Sequence, residues 1–138
     1  MTGYWLVNTN ERHRPDTKAH MLANRCVCAQ YDPKVDIDRI SAGDVVFIYE
    51  NVVGIIGYGI ADGRIIIRDY KGERNEQHEM RLDQFEVLPQ PITPSQISAI
   101  SWNLDRAGVF YARTVVPLRD LAGAELYRIA KELIRSGD

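Results

Sequence analysis

Hydrophobic positions in this chain gather in short, closely spaced runs, the pattern of strands, and helix-start signals appear between and after them. Residues 4–9, Tyr-Trp-Leu-Val-Asn-Thr, combine aromatic and β-branched side chains into a short strand. Its two-residue period sets Trp5, Val7 and Thr9 on one face and Tyr4, Leu6 and Asn8 on the other. A polar loop over residues 10–15 follows, and Asp16 or Thr17 can cap a helix through Asn24. Residues 25–31 fit either the end of that helix or a strand, and Asp32-Pro33 terminates both.

Gly43-Asp44 turns into Val45-Val46-Phe47-Ile48-Tyr49, an apolar run that needs cover on both faces and so reads as a central strand. Glu50 and Asn51 form a polar tip before the run at residues 53–60, which predicts an antiparallel hairpin in mid-sheet. Further short strands are expected at residues 65–68 and 80–88, with an exposed polar loop over residues 71–79 between them. Thr93, Pro94 and Gln96 supply an N-cap, a first-turn proline and a capping box, and Ile92 and Ile97 have the spacing of a hydrophobic staple. Together they predict a helix over residues 94–100. Residues 109–116 read as a strand. Leu118, Leu121, Ala122, Leu126, Ile129, Ala130 and Leu133 then recur at helical spacing to near Ser136-Gly137. The expected fold class is α+β, a small mixed β-barrel of about five or six strands with flanking helices outside it.

Composition narrows the function classes. With 138 residues and 45% hydrophobic content, the expectation is a single domain over residues 1–138 with a core that needs no staples. No apolar run is long enough to span a bilayer, and the N-terminus lacks the pattern of a signal peptide, so a cytoplasmic location is expected. The two cysteines, Cys26 and Cys28, lie too close together to build a disulfide scaffold. A net charge of −2 excludes nonspecific coating of duplex nucleic acid, so any such contact must be local. Local surpluses exist at Arg12, Arg14 and Lys18, with Arg25 beyond, and at Arg64, Arg68, Lys71 and Arg74.

Gly54, Gly57 and Gly59 do not form a phosphate-cradling loop, because they lie within a strand rather than between a strand and a helix; a bulge, a bend or a close approach is expected there. His13, His20, Cys26 and Cys28 match no standard zinc-finger spacing, and no metal or cofactor is expected. No nucleophile elbow is present and no catalytic residue is assigned. Asp36 with Asp38, and Glu76 with Glu79, read as a turn and a solvated loop. The aromatics Trp5, Tyr31, Tyr49, Tyr58, Trp102 and Tyr111 accompany the amides Asn8, Asn24, Asn51 and Asn103. A base bound outside a duplex needs such π-faces and such edge-pairing groups. The expected pocket lies where the first strand, the loop after it and the Tyr49-Asn51 tip converge. There Trp5 or Tyr31 stacks, Asn8 or Asn51 reads the base edge, and Arg12, Arg14 and Lys18 contact phosphate.

The order of motifs resembles the EVE-type branch of the PUA-like superfamily, related to YTH and ASCH domains. The matching pieces are Tyr4-Trp5-Leu6-Val7-Asn8, then residues 40–49 with their Gly43-Asp44 turn and closing Tyr49, then Gly54-Ile55-Ile56-Gly57. The likeness covers roughly the first 60 residues by motif and the rest by strand order. The chain departs from that branch over residues 20–28, where a Trp and a basic-Asn-Tyr element are usual. The resemblance implies a non-catalytic module that binds DNA or RNA carrying a modified or unpaired base, without a cofactor, in company with a nuclease or another protein. An ASCH-like enzyme acting on a small nucleoside, using Lys18 and a carboxylate, and a protein-interaction module are the alternatives.

Overall fold

In the computed structural model, which describes residues 2–10 and 13–137, the apolar run at residues 45–49 lies between two covered faces. It belongs to β3 (Val45–Glu50), near the middle of a six-stranded sheet ordered β2-β5-β4-β3-β1-β6. The other strands are β1 (Tyr4–Asn8), β2 (Cys26–Gln30), β4 (Gly54–Tyr70), β5 (Glu73–Ile92) and β6 (Val115–Leu118). β1 is parallel to β3 and the other pairings are antiparallel, so the sheet is mixed. It curls into a half-barrel, as the α+β reading expects. Three helices, α1 (Pro15–Asn24), α2 (Pro94–Asp105) and α3 (Asp120–Ser136), and a 3-10 segment (Asp32–Arg39) cover it.

Strand alternation decides what packs where. Trp5, Val7, Val46 and Ile48 point to one face and pack with Met21 of α1 and Ile37 of the 3-10 segment. Leu6, Val45, Phe47 and Tyr49 point to the other face, against Ile97 of α2 and Leu126 and Ala130 of α3. The first strand therefore divides its side chains as its period requires.

The long hairpin corrects the sequence reading. Residues 65–68 are not a separate strand but part of β4, and residues 71–79 are not a loop: the turn is confined to residues 71–72 and β5 begins at Glu73. The physical reason is that β5 is paired on both edges, Glu79 lying opposite Cys28 of β2 and opposite Ile66 of β4. Its polar residues look solvated in one dimension but are partnered in three. Register shifts, between Ile55 and Gly57 among others, bend so long a strand. Gly54 adopts φ +120°, and a Cβ there would stand 2.0 Å from the Ile92 carbonyl oxygen, so only glycine fits.

Helix boundaries shift in the same manner. α1 starts at Pro15 after Arg14, with no side-chain cap from Asp16 or Thr17, because proline at the first position already supplies a helical φ. The ambiguous stretch after it is β2, buried throughout. The capping box of Thr93 and Gln96 forms as expected, and α2 continues to Asp105. The last strand is confined to Val115–Leu118; residues 111–114 are turns and bends that carry Tyr111 across to α2. No helix of the described residues is long and apolar enough to cross a membrane.

Candidate functional site

The C-terminal ends of β1 and β3 lie side by side, with Asn8 opposite Tyr49. Asn8 is buried at 2% exposure and its amide is fully spent. Nδ2 donates to Asn51 Oδ1 (3.0 Å) and to the Tyr111 carbonyl (3.0 Å), and Oδ1 accepts from the Asn10 backbone N–H (2.9 Å). Asn10 in turn donates to Thr114 Oγ1 at 2.8 Å. Tyr49 is buried and stacks on Tyr111, their ring centroids 5.0 Å apart, and Tyr111 is itself anchored to Ser98 and to the Pro94 carbonyl of α2. Burial raises the pKa of both phenols, with Tyr111 adding to the effect on Tyr49. Asn51 sits exposed on the hairpin tip, and its Nδ2 donates no hydrogen bond among the described residues.

On the concave face the same strand ends meet α1. Lys18 pairs with Glu50 at 2.7 Å, next to Asn51. Arg14, four residues earlier, lies over the Tyr31 ring, 5.1 Å from its centroid. Tyr31 is half-buried, is gripped edge-on by Tyr70 at 5.9 Å, and holds φ 59° with ψ −137°. That backbone is uncommon for any residue but glycine. Burial and then the neighbouring Glu73 carboxylate raise its phenol pKa. Thr9 and Thr17 bury hydroxyls that have no hydrogen-bond partner among the described residues.

Trp5 stands apart from this group. Three residues before Asn8, it lies about 10 Å away along the strand. It is 8% exposed, its indole N–H donates to Asp44 Oδ2 at 2.8 Å, and Arg39 lies over its ring. Asp44 also accepts from the Gly3 and Ser41 backbone, so the indole joins a knot at the opposite end of β1. Of the residues expected in the pocket, Asn8, Tyr49 and Asn51 thus lie together at the strand ends, Lys18 reaches Glu50 beside them, and Arg14 packs on Tyr31. Arg12 lies outside the described residues.

A second polar centre joins His20 and Cys26, set aside in the sequence as metal ligands, to a carboxylate expected in solvent. Glu79, expected in a solvated loop, is 1% exposed beneath α1. His20 Nε2 (3.0 Å), Gln77 Nε2 (3.0 Å) and Arg68 Nε (2.9 Å) all approach its Oε1. Gln77 accepts from Gln30, whose amide also reaches Cys28 Sγ. Burial favours the neutral acid, but the hydrogen bonds from His20, Arg68 and Gln77, with the Arg68 charge, outweigh it and hold the Glu79 pKa below its usual value. Burial and the Glu79 charge push the adjacent Cys26 thiol up to about 12. No hydrophobic alternation in Gln77-His78-Glu79-Met80 marks it as a strand, because three of its four residues are polar and all four are buried.

The curled mixed sheet, with one parallel pair at its centre and helices on both faces, is specific enough to compare. The fold is similar to that of a YTH domain. The Mmi1 YTH domain, solved in complex with RNA, superposes with a TM-score of 0.63 at 14% identity, covering 98% of this chain and 81% of that one. A hypothetical protein from Leishmania major gives 0.57 at 13% identity, with 96% of each chain covered. PSPTO5229 from Pseudomonas syringae gives 0.57 at 10% identity, covering 92% of this chain and 99% of that one. At such identities the likeness speaks to the fold alone. No family model matches the chain, and no curated protein is significantly similar to it.

Proposed function

We propose that this chain is a non-catalytic nucleic-acid-binding module of the EVE type, which holds one unpaired or modified base, in RNA foremost, at the C-terminal ends of β1 and β3. The observation that carries the reading is Tyr31: an aromatic face kept in place by a left-handed backbone and an edge-on neighbour, and already receptive to the planar guanidinium of Arg14. Left-handed strain at a non-glycine residue concentrates at ligand clamps. A ring face that accepts a guanidinium also accepts a base, and Arg14 then turns out to a phosphate. Asn51 supplies, on the hairpin tip, an Nδ2 donor that makes no hydrogen bond among the described residues, so the edge-reading role falls to it, with Asn8 holding its Oδ1. Tyr31 takes the stacking role and Trp5 a structural one. Lys18, with Arg14 and Arg12, serves phosphate. The Mmi1 YTH domain, similar in fold and bound to RNA in its own structure, supports RNA as the first polymer to test.

The test is thermal stabilisation by a panel of short single-stranded RNA and DNA oligonucleotides, with and without modified bases, at low salt. A ligand that binds only the folded chain raises the melting temperature in proportion to the logarithm of its concentration over Kd. At least one RNA is expected to do so, and Arg14→Ala is expected to lower the slope of log K against log salt by about 0.7, the value for one phosphate on a single strand. A panel in which no oligonucleotide stabilises the protein contradicts the reading.

A further inference from the structure

The contacts of Glu79 are lopsided. His20, Gln77 and Arg68 all converge on Oε1, and no hydrogen bond among the described residues reaches Oε2. An ionised carboxylate accepts through two oxygens, so Oε2 has capacity for a further ligand. Beside it lies the buried thiol of Cys26, which makes no hydrogen bond among the described residues. One ligand atom each from His20, Cys26 and Glu79 lies within 4.8 Å of the other two. They come from three elements, α1, the start of β2 and the middle of β5, and the β2–β5 pairing holds two of them in fixed register.

We propose that His20, Cys26 and Glu79 form a three-ligand site for zinc or a similar divalent transition ion, with the fourth position open to water or another ligand atom. Imidazole, thiolate and carboxylate are the donors zinc takes, at about 2.0–2.3 Å and in tetrahedral array, which sets ligand atoms about 3.3–3.8 Å apart; the three atoms need only a small closing movement. Two anionic ligands neutralise a divalent ion, so the filled site carries no net charge and suits its burial. Arg68 is the cation that now pairs with Glu79, and the ion and Arg68 compete for the same carboxylate. The Arg68 side chain is 49% exposed and can turn to solvent, and the His20 side chain, 31% exposed, marks the way in.

The experiment is titration of metal-stripped protein with cobalt(II), followed by zinc. One equivalent of cobalt is expected to bring a thiolate charge-transfer band and the intense visible bands of a tetrahedral ion, both abolished by zinc. Cys26→Ser is expected to lose the charge-transfer band and to weaken binding by at least about 10- to 100-fold, the loss that even an outer-shell change produces. Arg68→Gln keeps every ligand and removes the competing cation, so it is expected to bind cobalt more tightly than the parent. The proposal is overturned if neither the parent nor Arg68→Gln develops the bands, or if folded Cys26→Ser keeps the charge-transfer band.

Discussion

Asn8 closes the end of β1 with three hydrogen bonds, and none of its amide protons is left for a ligand. Asn8→Ala therefore strands the Tyr111 carbonyl and the Asn10 N–H, and urea unfolding is expected to show a loss of about 1–3 kcal/mol, the usual cost of unsatisfied buried partners. A loss below about 0.5 kcal/mol would mean that water replaces the amide without penalty. Glu79 gives a pH prediction with a definite sign. Its folded pKa lies below its usual 4.5, so the stability it contributes is present above the unfolded value and is lost as pH falls through the folded one. In metal-free protein, the parent is expected to lose stability relative to Glu79→Gln as pH drops from neutrality into that range. Parallel pH profiles for the two would show that the carboxylate is not held ionised. The sequence marks Asn8 and Asn51 as equivalent candidates. Only the strand register tells them apart, because it turns one amide inward to the Tyr111 backbone and leaves the other on a tip.

Among the elements, those legible in the sequence are the ones whose signals are local. Thr93, Pro94 and Gln96 specify the start of α2 within four residues, and both arms of the capping box form. Thr93→Ala is accordingly expected to cost about 0.5–2 kcal/mol in thermal or urea unfolding, and an unchanged midpoint would show that the box is decorative. The apolar run of β3 is equally readable, since a strand covered on both faces cannot be polar on either. β5 is not. Gln77 is satisfied by Gln30, 47 residues away, and Glu79 by His20, 59 residues away. A polar segment whose partners are that distant looks like a solvated loop until the sheet is assembled. β6 is shorter than its hydrophobic pattern because residues 109–114 are committed to spanning from α2, where Tyr111 docks, back to the sheet edge.

For the whole molecule, two cores on opposite faces of one curled sheet explain why the fold is legible in the hydrophobic pattern. Phe47 is wholly buried in the core beneath α2 and α3, and Phe47→Ala is expected to cost about 3–5 kcal/mol by urea unfolding. A loss below about 1 kcal/mol would remove β3 from the centre of the sheet. The two-residue period of β1 sets Trp5 and Asn8 on opposite faces, with Trp5 committed to Asp44 at the far end. Arg14 packs on Tyr31 and Lys18, one turn further along α1, pairs with Glu50 beside Asn51, and Tyr31 holds a backbone conformation that no sequence pattern announces. The central claim is that a base stacks on this ring. The most direct measurement is the affinity of the best short single-stranded RNA for the parent and for Tyr31→Ala, by fluorescence anisotropy, with near-ultraviolet circular dichroism confirming that the variant is folded. A loss of about 1–3 kcal/mol, the worth of one base stacked on an aromatic, is the predicted result. Parental affinity in a folded Tyr31→Ala chain would contradict it.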